Sequence, residues 1–238
     1  MLRDLTKRDW QKMLGLSDEQ IPQALMLRGT RNLRHQYDRH RCYFDDVIPV
    51  GLPNSIVEDV FVGRLGEHRV AYASVYGAPM ASEIVHLFGV LGTSLVVQTG
   101  CCGGLAENIM AGDVALTTEA FCGEGAAQYY KRGGMTVRPT LNRGSFVPMA
   151  ATGGAAVHLA RMFTTSALFA EGEEEVEQWF AAGWTAVDME TAATLAVAEH
   201  FGMESLAIHF VFDNPRRREH LLLYEPEKID AELPARQR

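Results

Sequence analysis

The sequence contains no apolar run that approaches the length of a membrane span, which needs about 18 consecutive residues. Its first seven residues also lack the apolar core of a secretory signal. Basic residues are in deficit, with 22 Lys and Arg against 30 Asp and Glu and a net charge of −8. Few cations are therefore available to neutralise nucleic-acid phosphates. We expect a cytoplasmic protein that binds neither membranes nor nucleic acids.

The sequence also lacks a disulfide framework and a metal motif. Its four cysteines show no C-x-x-C spacing, and the adjacent Cys101 and Cys102 are poorly placed to bridge each other. The eight histidines do not fall at metal-ligand spacings. We therefore expect reduced thiols, no metal and no cofactor.

Short apolar runs alternate with helical patterns along the chain, without a repeat, a low-complexity linker or a shift in composition. This alternation predicts one α/β domain, residues 1–238, with a buried central sheet. Strands are predicted at 24–27, 57–62, 69–76, 94–99, 112–120, 163–168 and 205–213, with a hairpin loop at 63–68. Helices are predicted within 1–20 and at 80–89, 153–162, 173–180 and 191–201.

The stretch from Ala186 to Ala193 places two carboxylates and a methionine at the start of a predicted helix. The helix dipole stabilises a carboxylate at such a position. Glu190 held there can accept hydrogen bonds from two neighbouring hydroxyls, as on a ribose. The residues alone also fit an ordinary first turn, in which Asp188 caps the helix and Glu190 favours it.

Three other features are candidates for binding or catalysis. The run from Arg28 to Arg34 joins a strand end, a glycine and basic side chains, which suits either an anion site or a solvated loop. The turn from Gly100 to Gly104 follows a buried strand and lets a ligand approach closely, although a tight turn explains the same glycines. Asp213 ends a strand, which suits either a general acid or a turn before Asn-Pro.

Three segments together resemble the nucleoside phosphorylase/uridine phosphorylase superfamily, which also contains nucleoside hydrolases. The first segment begins at Gly77-Ala78-Pro79, passes through Gln98–Leu105 and ends at Gly112-Asp113-Val114. The second begins at Ala167-Leu168-Phe169 and ends at Val187–Ala192. The third is the strand that ends at Asp213. The Met189-Glu190 pair, in this order and spacing with the other segments, is the most specific part. The resemblance covers residues 24–215.

The resemblance implies a three-layer α/β/α sandwich around a mixed, partly barrel-like central sheet. It implies a pentosyltransferase of purine salvage that cleaves the N-glycosidic bond of a nucleoside. The favoured reaction is phosphorolysis of a purine-type nucleoside to free base and ribose 1-phosphate, with inorganic phosphate as cosubstrate. A homo-oligomer (dimer, trimer or hexamer) is also implied. A nucleoside hydrolase that uses water and a non-catalytic nucleoside-binding protein are the alternatives.

The resemblance also assigns roles to individual residues. Asp213 would protonate the departing base, Glu190 would bind the ribose hydroxyls, and Met189 would pack on the sugar. Phe169 and Phe212 fall at base-binding positions. The positions implied for phosphate or another anion are Gly29, Arg31, Arg34, Gln98, Gly100 and Cys101.

The anion positions depart from the family pattern. Gln98 stands where phosphorylases usually have an arginine, and Cys101 where they have Ser or Thr. The segment from Gly29 to Arg34 replaces a Gly-Asp-Pro-x-Arg loop. A lost guanidinium removes charge-assisted, bidentate hydrogen bonds to phosphate. These departures favour the hydrolase alternative, whereas the acid that activates water in that branch is not evident in the sequence.

Overall fold

The computed structural model describes residues 1–51, 56–131, 133–141 and 154–219. The strands within these ranges are β1 Ala24–Gly29, β2 Asp45–Val50, β3 Val60–Leu65, β4 His68–Val75, β5 Leu95–Gly104, β6 Val114–Cys122, β7 Thr136–Val137, β8 Val157–Thr164, β9 Ala186–Asp188 and β10 Glu204–Asp213. The α-helices are α1 Lys7–Leu14, α2 Leu33–Arg41, α3 Gly77–Leu91, α4 Glu173–Ala181 and α5 Thr191–Phe201. Single 3-10 turns include Leu168–Ala170 and Pro215–Arg217.

These strands form one mixed sheet that is partly closed on itself. β5, β10, β6, β8 and β9 pair in a ring, because β5 hydrogen-bonds to both β10 and β9. β1, β4, β3 and β2 extend the sheet outward from β5. The predicted α/β fold with a central mixed, partly barrel-like sheet is confirmed.

Helices cover both faces of the extended part of the sheet. Successive strand residues point to opposite faces, and β1 separates its side chains in this way. Leu25 and Leu27 pack in one apolar cluster with residues of α1, α3 and α5. Met26 lies on the other face and packs in a cluster with Tyr72 and with Tyr37 of α2. No helix in the described ranges is both long and apolar enough to cross a bilayer.

The predicted helix at 153–162 is wrong, because β8 occupies Val157–Thr164. Residue 153 lies outside the described ranges. β8 pairs in parallel with β6 on one side and β9 on the other. Its buried residues, Ala160, Met162 and Thr164, alternate with more exposed ones. A short apolar run has no periodicity that separates strand from helix, so pairing with two neighbours decided the structure.

Two other boundaries differ from the prediction. The predicted strand at 163–168 is wrong beyond Thr164, because the chain leaves the sheet and forms the 3-10 turn Leu168–Ala170. The loop between β3 and β4 is shorter than the predicted 63–68, because Leu65 pairs with His68 in the hairpin. Gly66 makes this tight turn with a φ of +63°, a value that glycine adopts at low cost.

Candidate active site

Four parallel strands direct their carboxyl ends to one edge of the sheet. β1 is parallel to β4 and β5, and β5 is parallel to β10. β1 ends at Gly29 and β4 at Val75, whereas β5 and β10 continue to Gly104 and Asp213. Ligands of open α/β sheets bind beyond such carboxyl ends. The predicted site residues at the strand ends therefore gather at this edge.

Glu190 is buried, with 5% of its surface exposed, and its carboxylate faces the ends of β1 and β4. Oε1 accepts a hydrogen bond of 2.6 Å from the backbone N–H of Gly77, where α3 begins. A Cβ on Gly29 would lie 2.7 Å from Oε2, so a side chain there would displace the carboxylate. Burial, and then the Asp188 carboxylate, raise the pKa of Glu190 to about 8, although the Gly77 N–H lowers it.

Asp188 holds the turn that carries Glu190. Its Oδ2 accepts hydrogen bonds from the backbone N–H groups of Glu190, at 3.2 Å, and Thr191, at 2.8 Å. Its Oδ1 accepts a hydrogen bond of 2.7 Å from the Thr164 hydroxyl on β8. The N-cap residue of α5 is Glu190, so Asp188 holds the helix start from two residues earlier and is not itself the N-cap. Because Asp188 is also bonded to β8, the backbone of Glu190 is fixed relative to the sheet.

Glu190 and Asp213 act on the same side chain, that of Cys101. The Cys101 side chain is solvent-exposed yet surrounded by protein, as on the floor of a cleft. Burial raises the pKa of its thiol, the Arg28 guanidinium lowers it, and the Glu190 and Asp213 carboxylates raise it further. Such charge effects act over a few ångströms. Arg28, Cys101 and Asp213 lie towards the carboxyl ends of β1, β5 and β10, and Glu190 faces Gly29 at the end of β1. We call the space at this edge of the sheet the cleft.

The two carboxylates lie beside different glycines at the ends of the strands. A Cβ on Gly100 would lie 3.2 Å from the carbonyl oxygen of Gly29, the residue that Glu190 faces. A Cβ on Gly103 would lie 3.3 Å from Oδ1 of Asp213.

The predicted base-binding and anion-binding residues Phe169 and Arg31 contact each other. Phe169 is 83% exposed in the 3-10 turn after β8. The Arg31 guanidinium lies 5.4 Å from the centroid of the Phe169 ring and 4.9 Å from that of Tyr76. Tyr76 precedes Gly77, the partner of Glu190. These aromatic rings therefore stand at the mouth of the cleft.

The remaining predicted residues lie in different surroundings. Gln98 is fully buried, and its amide oxygen accepts a hydrogen bond of 2.7 Å from the hydroxyl of Thr194. Arg34 is exposed and pairs with Asp38 at 3.2 Å within α2. The predicted residues Met189 and Phe212 are half-buried and adjoin Glu190 and Asp213 in the chain.

Two charged residues of the cleft had no individual role in the sequence analysis. Arg28 is half-buried at the end of β1, and Glu171 follows the turn that carries Phe169. Burial, and then Asp213, raise the pKa of Glu171 to about 7. Arg28 is the first residue of the basic run, and Glu171 is the first residue of a run of acidic residues. The sequence could not show which member of each run faces inward.

The cleft therefore combines four chemical functions. A buried carboxylate can accept two hydroxyl hydrogen bonds, a carboxyl group further along can donate a proton, a guanidinium can meet an anion, and an aromatic ring can stack on a base. Proton donation to a leaving group and negative charge near an oxocarbenium-like centre are the needs of glycosidic bond cleavage. No three His, Cys, Asp or Glu side chains in the described ranges are arranged to hold a metal.

Comparison with known proteins relates the chain to phosphorylases. It is 27% identical to a guanosine phosphorylase of Halorubrum lacusprofundi over 139 residues, 58% of this chain and 58% of that relative. It is 26% identical to a DeoD-type purine nucleoside phosphorylase of Clostridium perfringens over 218 residues, 84% of this chain and 86% of the relative.

A solved structure shares the fold at low identity. The uridine phosphorylase of Vibrio fischeri ES114 superposes with a TM-score of 0.77 at 15% identity, covering 93% of this chain and 88% of that one. The model of the phosphorylase superfamily matches residues 48–232, which include α3, the cleft strands β5 and β10 and the Met189-Glu190 turn. Since this match takes in most of the chain, the protein belongs to the phosphorylase superfamily.

Proposed function

We propose that the protein catalyses phosphorolysis of a purine-type nucleoside to the free base and a pentose 1-phosphate. The observation that carries the proposal is that Glu190, beside Gly29, and Asp213, beside Gly103, both lie at the carboxyl ends of the parallel strands. Family membership and the names of the relatives support the same chemistry. We also propose that the protein is cytoplasmic, acts in purine salvage and forms a homo-oligomer. Light scattering measures the oligomeric state.

Glu190 would receive the 2′- and 3′-hydroxyls of the sugar, with Met189 packed on the sugar ring. In the folded chain burial favours its protonated form, with a pKa of about 8. Two hydroxyls that donate hydrogen bonds stabilise the ionised form instead. Sugar binding therefore places a negative charge near C1′, where positive charge develops as the glycosidic bond lengthens.

The bond changes balance as follows. A phosphate oxygen forms a bond to C1′ while the bond from C1′ to the base nitrogen breaks, and the base leaves with that electron pair. Asp213 would supply the proton that neutralises the purine. One positioned acid contributes about 10²- to 10⁴-fold to the rate. Phe169 would stack on the base, with Phe212 close to the acid.

The test is base release from a panel of purine and pyrimidine nucleosides with and without phosphate. We expect release from purine nucleosides that depends on phosphate, and a loss of about 100-fold or more in Asp213→Asn. Asp45→Asn, an exposed carboxyl on β2, is the control and should keep wild-type activity.

Other outcomes would replace the proposal. Equal activity without phosphate would assign the chain to the hydrolases, because water would then be the nucleophile. Binding of a nucleoside without turnover would make it a nucleoside-binding protein. Wild-type activity in Asp213→Asn would remove the acid from the mechanism.

A further inference from the structure

Arg28 is a cation without a matching anion in the described part of the chain. It is half-buried at the carboxyl end of β1. Its Nε atom is buried and makes no hydrogen bond. Other arginines of the described ranges, such as Arg64 and Arg161, form ion pairs with carboxylates at 2.9 and 3.2 Å.

The strand register places Arg28 on the cleft floor. Arg28 pairs with Ser74 on β4 and with Thr99 on β5. Side chains two residues apart on a strand point to the same face, so Cys101 shares the face of Thr99 and hence that of Arg28. The effect of the Arg28 charge on the Cys101 thiol agrees with this placement. The guanidinium and the Cys101 side chain therefore lie on the same face of the sheet.

An unpartnered donor in such a place is costly. Burial removes water from the Nε atom, and a buried donor without a hydrogen-bond partner destabilises the fold. The neighbours on this face include Tyr72 and Ser74, whose hydroxyls lie 3.1 Å apart and which carry no negative charge at neutral pH. The planar guanidinium of Arg28 can donate two parallel hydrogen bonds to two oxygens of a phosphate. A ligand with anionic oxygens would supply what the protein lacks here.

The other anion-binding candidates have competing contacts. Gln98 is neutral, fully buried and bonded to Thr194. Arg34 pairs with carboxylates outside the cleft. Arg31 stacks on two rings at the mouth. Arg28 alone among these four residues combines a charge, a place on the floor and a free donor.

We propose that Arg28 is the guanidinium that binds the phosphate cosubstrate on the floor of the cleft, beside Cys101. It would do from β1 what the family arginine does from the position of Gln98 on β5. This inference rests on the proposed phosphorolysis for its biological meaning, but the anion site can be tested without turnover.

The first experiment measures initial rates at saturating nucleoside and varied phosphate. Arg28→Gln should raise the KM for phosphate by about 10- to 100-fold, because hydrogen bonds to a charged group are lost. Its KM for the nucleoside should stay within about twofold of the wild-type value. Arg28→Lys keeps the positive charge but loses the paired N–H donors, so its KM for phosphate should lie between the values of the wild type and R28Q. Arg64→Gln, which breaks an exposed pair with Asp46, is the matched control and should change neither constant.

The second experiment measures the melting temperature with increasing inorganic phosphate and no nucleoside. Wild type and R64Q should be stabilised by phosphate, and R28Q should not respond. Without phosphate R28Q should melt at or above the wild-type temperature, because an unpaired charge is gone. If R28Q does not fold, the weaker phosphate response of R28K gives the same information.

The outcomes separate the inference from the proposed function. A phosphate response that R28Q retains, or a phosphate KM unchanged in R28Q, would overturn the role of Arg28 while phosphorolysis stands. A response that depends on Arg28 in a protein that cleaves no nucleoside would support the anion site and remove the proposed function. A wild-type protein that phosphate does not stabilise would overturn the site itself.

Discussion

The two ends of the cleft are built differently. At the proposed sugar end, formed by Gly29, Gly77 and Glu190, the carboxylate is buried and bonded to a helix start. At the base end, formed by Phe169, Glu171 and Asp213, the ring is largely exposed and the carboxyl groups are half-buried. A ribose hydroxyl pair is invariant among ribonucleosides, whereas bases differ. Under the proposed function, we expect the sugar end to set the geometry and the base end to tolerate variation.

The largest effect should come from crowding the sugar end. Gly29→Ala places a carbon 2.7 Å from Oε2 of Glu190, so the carboxylate must move. We expect kcat/KM to fall about 100-fold, since a displacement of about 1 Å can cost that much. Gly125→Ala is the control, because its Cβ would meet only Gln128 Nε2, at 3.8 Å. Steady-state kinetics on folded protein measures kcat/KM, and a decrease of less than threefold would contradict the prediction.

The second effect concerns stability and pH. The pKa of Glu190 is about 8 in the folded chain, above its ordinary 4.5, so the folded chain holds a proton that the unfolded chain releases. Stability from this group is therefore complete below pH 4.5 and is lost as pH rises through 8. Glu190→Gln abolishes that loss. Between pH 5 and pH 9 the wild type should lose about 4 kcal/mol of its free energy of unfolding through this group, and E190Q should not show this loss.

Urea unfolding at pH 5 and pH 9 measures this difference. Glu67→Gln, in the exposed turn between β3 and β4, should leave the pH dependence unchanged. E190Q should lose nucleoside cleavage even where it is more stable. A wild-type pH dependence in E190Q would show that Glu190 is ionised in the folded chain.

A smaller effect is expected at the base end. Phe169→Ala removes a ring that is 83% exposed, so stability should change by less than about 0.5 kcal/mol. Base stacking on an aromatic ring contributes about 1–3 kcal/mol, so the nucleoside KM should rise about tenfold. Tyr129→Ala, with a ring 80% exposed, is the control. Kinetics on two bases would sharpen the comparison, because the rise should depend on the base.

The smallest effect should follow from freeing the Phe169 ring. The Arg31 guanidinium lies 5.4 Å from its centroid and competes with a base for the same face. An exposed cation–π contact contributes about 0.5–1 kcal/mol. Arg31→Gln should therefore lower the nucleoside KM about twofold. An increase in the phosphate KM of this variant instead would give Arg31 the anion role that the sequence suggested.

Strong local patterns made parts of the fold predictable. The Ala-rich run before Gly202 formed α5, and Gly202 ends it with a φ of +67°. The apolar run before Asp213 formed β10. The segment 153–162 has no such pattern, and its pairing with β6 and β9 made it a strand. Cross-strand partners lie far away in sequence, so no local signal could identify them.

The sequence by itself determined the α/β class, the start of a helix near Glu190, and Glu190 and Asp213 as candidates, since each depends on residue type and near neighbours. Only the tertiary structure decided which charges face the cleft. Arg28 and Arg34 belong to one basic run, yet one lies on the floor beside Cys101 and the other pairs with Asp38 outside. The reason is physical: the direction of a side chain follows from strand register and helix packing, which are set by residues distant in the chain.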